Sequence, residues 1–285
     1  MKLIRFGPAG AERPGLLLAD GRQVAAPAFV TDYHEAFFAG DGLDRLREWV
    51  EGNLHGAVEV PAGARIGPAV ARPSKIVCVG LNYRSHAEET GAAIPTEPVL
   101  FMKASSAWHG PYDDVEIPPG AEKVDWEVEL ALVIGKKARQ VSESSALDFV
   151  AGYSIMLDYS ERAWQKERGG QWVKGKSADT FAPFGPWLVT TDELPDHGSL
   201  PLNLKVNGQT MQDGSTSDLI FPVPYLVSYI SRFMTLLPGD VISTGTPSGV
   251  GAGHVPPLFL KPGDVVEASA GSLGNQRQRV VAGRV

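Results

Sequence analysis

Asp125-Trp126-Glu127-Val128-Glu129-Leu130-Ala131-Leu132-Val133-Ile134-Gly135 holds the pattern on which the reading of this chain turns. Val128–Ile134 is aliphatic apart from Glu129 and is stopped by a glycine, which reads as a strand. Strand side chains alternate between faces, so Glu127 and Glu129 leave the start of this strand in the same direction. Two like charges aimed at one place repel and are costly if desolvated. A divalent cation bound by carboxylate oxygens relieves both effects, whereas a solvated strand end needs no such relief. Residues 152–158 form a second apolar strand ending in Asp158, which adds a third hard ligand. Three carboxylates with open positions suit Mg²⁺ or Mn²⁺, and Ca²⁺ would accept the same donors in a crystal.

Outward from this stretch the chain is a series of short strand candidates, at residues 2–6, 75–80, 99–103, 187–190, 202–207, 241–244 and 265–268. Residues 15–19 and 22–25 flank Asp20-Gly21, a hairpin signal. The 32 Gly and 22 Pro show no repeat period, so they mark turns rather than a linker. Helical spacing occurs over residues 32–51, where Gly40-Asp41-Gly42 divides it into two short helices. It recurs over residues 224–236, where Leu226, Val227, Ile230, Phe233 and Met234 share a face and Pro238-Gly239 stops it. Pro-Gly-Asp appears twice before an apolar pair, at Pro238 and Pro262, as reused turn chemistry. The expected fold is α+β and strand-rich, with a boundary in the Pro- and Ala-rich loop of residues 61–73. That gives a small N-terminal α/β domain of residues 1–70 and a larger domain of residues 71–285.

Composition excludes several classes of function. Lys plus Arg number 26 against 33 Asp plus Glu, a net charge of −7 with no basic stripe, which argues against nucleic acid. No apolar run is long enough to span a bilayer, so no membrane partner is expected. Cys78 is the single cysteine and has no internal disulfide partner, and Arg5 interrupts the apolar start. A reducing cytoplasm is the expected location.

Gly80-Leu81-Asn82-Tyr83-Arg84-Ser85-His86-Ala87-Glu88-Glu89 follows the strand of residues 75–80. With Ser85 as N-cap, His86 and Glu89 fall on one face of a short helix. A carboxylate beside an imidazole fixes its tautomer and raises its basicity, making a pair that takes a proton from water. The plain alternative is a surface ion pair. The other histidines, His34, His55, His109, His197 and His254, have no such neighbour and read as surface or loop residues. Lys176, in a Gly-flanked loop, either anchors a substrate oxyanion or is simply solvated. Gly245 to Gly251 is no dinucleotide loop, because Pro247 interrupts it and residues 252–257 open no helix; a loop whose N–H groups approach a ligand remains open. There is no Gly-x-Ser-x-Gly elbow, and Cys78 lies inside an apolar strand, so covalent catalysis has no nucleophile.

Taken in order, Gly80 to Tyr83 with His86, Asp125 to Gly135, Asp158 with Gln165, Gly175-Lys176-Ser177 and Ser243 to Pro247 resemble the fumarylacetoacetate hydrolase superfamily, over about residues 70–285. Asp125 to Glu129, Gly170 to Lys176, Met211 to Thr216 and Ser243 to Gly251 are similar to its bacterial 2,4-diketo-3-deoxy-L-rhamnonate and L-fuconate hydrolase subgroup, whose members are often labelled ureidoglycolate lyase. The resemblance implies a mixed β-roll catalytic domain and a homodimer. It implies Mg²⁺ or Mn²⁺ on Glu127, Glu129 and Asp158, a lid-helix pair His86 and Glu89, an active-site Lys176, and substrate contacts from Gln165, Thr246 and Arg84. The implied activity is metal-dependent hydrolysis of the C–C bond of a small-molecule 2,4-diketo acid, giving pyruvate and a second acid such as lactate. The alternatives are an oxaloacetate-type decarboxylase, a ureidoglycolate lyase, and a non-catalytic metal- or sugar-binding module.

Overall fold

The computed structural model describes residues 1–52, 54 and 57–283. All seven residues of Val128–Ile134 and all eight of Val150–Leu157 are buried, so these two strands carry near-continuous apolar runs at the centre of the molecule. They pair antiparallel, with Glu129 opposite Met156 and Val128 opposite Leu157. Val241–Ser243 lies on the other side of Val128–Ile134, and Ile76–Gly80 runs parallel to it. The main sheet has ten strands. Its path runs from Gln23–Ala25 through Arg13–Leu17, Lys2–Phe6, Ala182–Thr190, Val150–Leu157, Val128–Ile134, Val241–Ser243 and Ile76–Gly80 to Val99–Lys103, with Trp108–His109 paired to Ala182–Thr190 off that path. A five-stranded sheet of Gln209–Ser215, Pro201–Val206, Val265–Ser269, Asn275–Ala282 and Val115–Ile117 packs beside it. The fold is therefore the strand-rich α+β arrangement of mixed sheets that the sequence suggested.

This register brings the site to one end of the sheet. The ends of Ile76–Gly80, Val241–Ser243 and Val150–Leu157 lie at the same side as the beginning of Val128–Ile134. The strands of the N-terminal segment extend the main sheet, Lys2–Phe6 pairing antiparallel with Ala182–Thr190. Arg5 holds the segment to its following loop through a bidentate contact with Asp32 at 2.7 and 2.9 Å.

Helices fall close to expectation, as Glu35–Ala39 and Gly42–Gly52 around the glycine break, and as Val223–Phe233. The last ends three residues before the expected stop, because Leu236 exchanges backbone hydrogen bonds with Ala138 in an isolated bridge. Its inner face docks through Ser228 and Ser231, which bond Val141 O and Val141 N at 2.8 and 2.9 Å. The short strand Val115–Ile117 and the polar-rich strands Gln209–Ser215 and Asn275–Ala282 were not expected, and Ala182–Thr190 begins five residues earlier than the apolar run suggested. Cys78 is fully buried, and burial pushes its thiol well up, so it is inert. Among the described residues no helix is long and apolar enough to cross a membrane.

The two Pro-Gly-Asp triplets do the same work. In each, glycine takes a left-handed φ, 84° at Gly239 and 101° at Gly263. The aspartate then accepts from the backbone N–H three residues back, Asp240 from Leu237 at 2.6 Å and Asp264 from Lys261 at 2.7 Å. Only Asp240 is buried, and it also accepts from Ser74 Oγ at 2.5 Å and Lys75 N at 3.2 Å while pairing with the Lys75 ammonium. Asp240→Ala should therefore cost about 2–4 kcal/mol and Asp264→Ala no more than about 1 kcal/mol. Chemical denaturation checks this, and equal losses would contradict it.

Candidate active site

Glu127 and Asp158 sit side by side where the two central strands meet, Asp158 N donating to Glu127 O at 2.9 Å, and Glu129 follows one alternation later. One oxygen from each of the three carboxylates lies within 4.8 Å of the others, and all three residues are buried. Left bare, this arrangement would not stay ionised. Cations supply the balance. Lys176 Nζ donates to Glu127 Oε2 at 2.6 Å and to Asp158 Oδ2 at 2.7 Å. Lys103 Nζ donates to Asp158 Oδ1 and, at 3.0 Å, to Tyr159 O. Arg162 pairs with Glu127 Oε1 and Asp125 Oδ2, both at 2.7 Å. Lys103 and Lys176 are among the largest wholly buried side chains of the protein.

Glu129 is the exception. It accepts from Ser243 Oγ and from Gly245 N at 2.9 Å, but has no ion-pair partner among the described residues. Burial first, then the charges of Asp158 and Glu127, push its carboxyl up to about 8. Burial would raise Glu127 too, but there Lys176 and Arg162 outweigh it and hold the group far below the usual range. Against burial, Asp158 and Glu127 raise Lys176. Three hard oxygen donors, one of them short of a positive partner, fit a divalent cation.

His86 lies on the helix Arg84–Glu89 and is buried, with Nδ1 3.3 Å from Glu89 Oε2. The other Glu89 oxygen accepts from Gly249 N at 2.8 Å. Burial raises Glu89, but the bonds to His86 and the Gly249 N–H outweigh it, and the carboxyl is held below its ordinary value. Ser85 does not cap this helix as expected. Tyr83 is at the N-cap without a side-chain bond, and the Asp218 carboxylate, brought from a distant turn, accepts from Ser85 N at 3.0 Å and Ser85 Oγ at 2.7 Å.

The glycine loop after Ser243 turns its N–H groups to the protein's own acids. Gly245 donates to Glu129, Gly249 to Glu89, and Gly251 and Ala252 to Asp125 at 2.6 and 3.0 Å. Those donors are therefore engaged rather than open to a ligand. At Gly249, φ is 99° and a Cβ would stand 1.9 Å from Met211 O, so only glycine fits.

A cavity of about 170 Å³ opens on this cluster, its wall including His86, Glu127, Glu129, Gln165, Lys176 and Thr246. Asp158 is wholly buried and Glu89 stands behind His86, whereas Arg84 is exposed and outside the lining. Gln165 accepts from Arg162 Nη1 at 3.1 Å. The Thr246 hydroxyl donates to Val128 O at 2.9 Å and accepts from the buried Gln212 at 2.8 Å. Sequence reasoning missed Lys103, Arg162 and Trp172; the last packs on Phe101 with centroids 5.3 Å apart and leaves no room for a Cβ at Gly80. A lysine closing an apolar strand and an arginine following a buried acidic turn were the available signals.

The other described histidines are not in the cavity wall. His34 is exposed and accepts from Phe37 N at its helix start, and His55 lies outside the described residues. His109, His197 and His254 are half-buried rather than at the surface; His254 sets its ring edge to Trp126 and leaves a buried Nε2 without a partner among the described residues.

The family model for the fumarylacetoacetate (FAA) hydrolase C-terminal region matches residues 75–281. A relative in Burkholderia multivorans, whose name goes no further than hydrolase, is 50% identical over 285 residues and covers 100% of both chains. A fumarylacetoacetate hydrolase from psychrophilic Exiguobacterium antarcticum superposes with a TM-score of 0.85 at 35% identity, over 99% of this chain and 100% of that one. Maleylpyruvate hydrolase from Sphingobium sp. SYK-6, solved with manganese(II) and pyruvate, gives a TM-score of 0.83 at 31% identity, over 100% of both chains.

Because Glu129 keeps its proton up to about pH 8, a metal that binds there at neutral pH has to displace it. Mn²⁺ binding at pH 7 should release close to one proton, measured by calorimetry in buffers of different ionisation enthalpy. The release should vanish by about pH 10 and disappear in Glu129→Gln. Pronounced release from that variant at pH 7 would place the proton elsewhere.

Proposed function

The chain belongs to the fumarylacetoacetate hydrolase family, and we propose that within it the protein hydrolyses the C–C bond of a 2,4-diketo acid of the acylpyruvate type. The observation that carries this reading is the opening of the buried carboxylate cluster and the His86–Glu89 pair onto one cavity. Glu127, Glu129 and Asp158 would hold Mg²⁺ or Mn²⁺, which would supply Lewis-acid polarisation of an α-keto acid.

The chain's own residues account for the other parts of the reaction. Glu89 takes the Nδ1 side of His86, which leaves Nε2 as the basic nitrogen for a water molecule. The water adds to C4, the C3–C4 bond breaks, and its electron pair passes into the pyruvate enolate. Return of the proton to C3 gives pyruvate and a second carboxylic acid. An ammonium has three donors, and two of those of Lys176 bind Glu127 and Asp158, so one remains for the developing oxyanion. The Gln165 amide nitrogen and the remaining lone pair of Thr246 are among the polar groups left to orient the substrate.

We also infer a homodimer. Its support is an open sheet edge at Val99–Lys103 with Met102 exposed, and a row of aromatic rings that starts at Phe221 before the helix Val223–Phe233 and runs along it through Tyr225 and Tyr229, stacked to that point, to Phe233, which is exposed and meets Tyr229 edge-on. Light scattering should return twice 30.5 kDa; a monomer at micromolar concentration would contradict it.

The functional test is turnover of 2,4-diketo acids, oxaloacetate and ureidoglycolate with Mg²⁺, Mn²⁺ or chelator, scoring pyruvate, CO₂ and glyoxylate separately. Metal-dependent pyruvate from a diketo acid, with an equal amount of partner acid, is expected. Dominant CO₂ or glyoxylate would make the protein a decarboxylase or a lyase. His86→Ala should slow turnover about 10²- to 10⁴-fold with Mn²⁺ affinity kept, and wild-type turnover would remove His86 as the base.

A further inference from the structure

One charged side chain at the mouth of the cavity is left without a partner. Among the charged residues of the segment 162–176, Arg162 is tied to Asp125 and Glu127, Glu167 to Lys123, and Lys176 to Glu127 and Asp158. Lys174 reaches Arg168 O, and Arg168 lies over the Trp164 ring, 5.8 Å from its centroid. Lys166, the last residue of the helix Arg162–Lys166, lines the cavity and is exposed, with no ion-pair or hydrogen-bond partner among the described residues.

The acids around the cavity are committed elsewhere. Asp125 and Glu127 answer Arg162 and Lys176, Glu129 accepts from Ser243 Oγ and Gly245 N, and Glu89 is taken by His86 Nδ1 and Gly249 N. Lys166 is left beside charges of its own sign. Burial of its stem first, then Arg162 and Lys176, lower its ammonium against the pull of Glu127 and Asp125. A lysine in such surroundings gives up its proton more readily and holds more of the neutral, nucleophilic amine at neutral pH. The wall next to it includes Val79, Leu81, Phe101 and Trp172, an apolar surface on which a short acyl chain can lie. The same positive neighbours draw in an anionic donor.

We propose that Lys166 is an acylation site, taking an activated acetyl group from a small acyl phosphate or a thioester, and that the resulting amide narrows the mouth of the cavity. The neutral amine adds to the acyl carbonyl carbon. The C–O bond to phosphate, or the C–S bond of the thioester, breaks with its electron pair on the leaving group. The amine's proton passes to water, and the products are an uncharged amide and inorganic phosphate or a thiol. The mouth then loses a positive charge and gains bulk, so anions enter less readily; this second half of the proposal rests on the keto-acid reading above.

The test is peptide mass spectrometry of the full chain after incubation near neutral pH with acetyl phosphate and, separately, with acetyl-CoA. Lys166 should be acetylated about threefold or more faster than Lys136, Lys137 and Lys261, which are exposed and outside the cavity wall. Preferential label from acetyl phosphate alone identifies the small anion as the source, and from acetyl-CoA alone the thioester. Turnover of a 2,4-diketo acid should fall in step with occupancy at Lys166, while Lys166→Arg, which cannot be acylated at that position, should keep its own turnover through the same treatment. Labelling of Lys166 no faster than of the three other lysines, by either donor, would overturn the proposal whatever the substrate. Preferential labelling with turnover unchanged would overturn the narrowing of the mouth. If the untreated protein turned over no diketo acid, the keto-acid reading would fall, and the label alone would decide the acylation site.

Discussion

Desolvated charge is the constraint around which this protein is built. Asp125, Arg162, Glu127, Lys176, Asp158 and Lys103 form one unbroken alternation of acid and base inside the molecule, each link an ion pair between buried groups. The members come from separate elements: the ends of the two central strands supply Glu127 and Asp158, the short strand Val124–Asp125 supplies Asp125, two short helices supply Arg162 and Lys176, and the edge strand Val99–Lys103 supplies the third cation. Removing one partner of a buried pair costs about 3–5 kcal/mol because its mate is stranded. Strands, short helices and an edge strand are thereby tied together at one point.

The same acids shape what surrounds the cavity. Asp125, Glu89 and Glu129 collect the N–H groups of residues 245–252, and Trp126 adds a bond from Nε1 to Gly249 O at 3.0 Å. The loop is fixed from below by the cluster and from above by the helix that carries His86. A Cβ at Gly253 would lie 2.4 Å from the Glu89 carboxyl carbon, so the main chain presses directly against the group that orients the imidazole. His86 thus owes its position to the loop as much as to its own six-residue helix, which is too short to hold itself.

Much of this was legible in the sequence because two-residue alternation and strand length are local properties. Glu127 and Glu129 on one face and the strands around them follow from spacing alone. What could not be read depends on long-range pairing. Lys103 closes an apolar strand and looks like a solvated end, yet it is wholly buried because Asp158, 55 residues later, takes its charge. Asn275–Ala282 opens with five polar residues, but Gln276 and Gln278 face inward, where they donate to Ile155 O, Gly185 O and Pro111 O. Gln212 hides the strand Gln209–Ser215 in the same way, holding Val128 N and Pro247 O. Buried amides satisfied by distant backbone defeat a reading based on hydrophobic period. The capping of Ser85 by Asp218 is the same effect at a helix start.

The charge balance also orders events at the site. With Glu129 protonated, as burial and its acidic neighbours favour at neutral pH, three acids face three bases and the closed cluster is neutral. A divalent ion that displaces the Glu129 proton leaves a net positive charge, which an isolated interior tolerates poorly and an anionic ligand relieves. Anion affinity is then expected to follow metal occupancy, and by linkage a bound anion holds the metal by the same factor. Proton, cation and anion thus take turns in keeping one buried region close to neutral. On this view the raised carboxyl of Glu129 and the fit of the cluster to a divalent cation are consequences of a single electrostatic requirement.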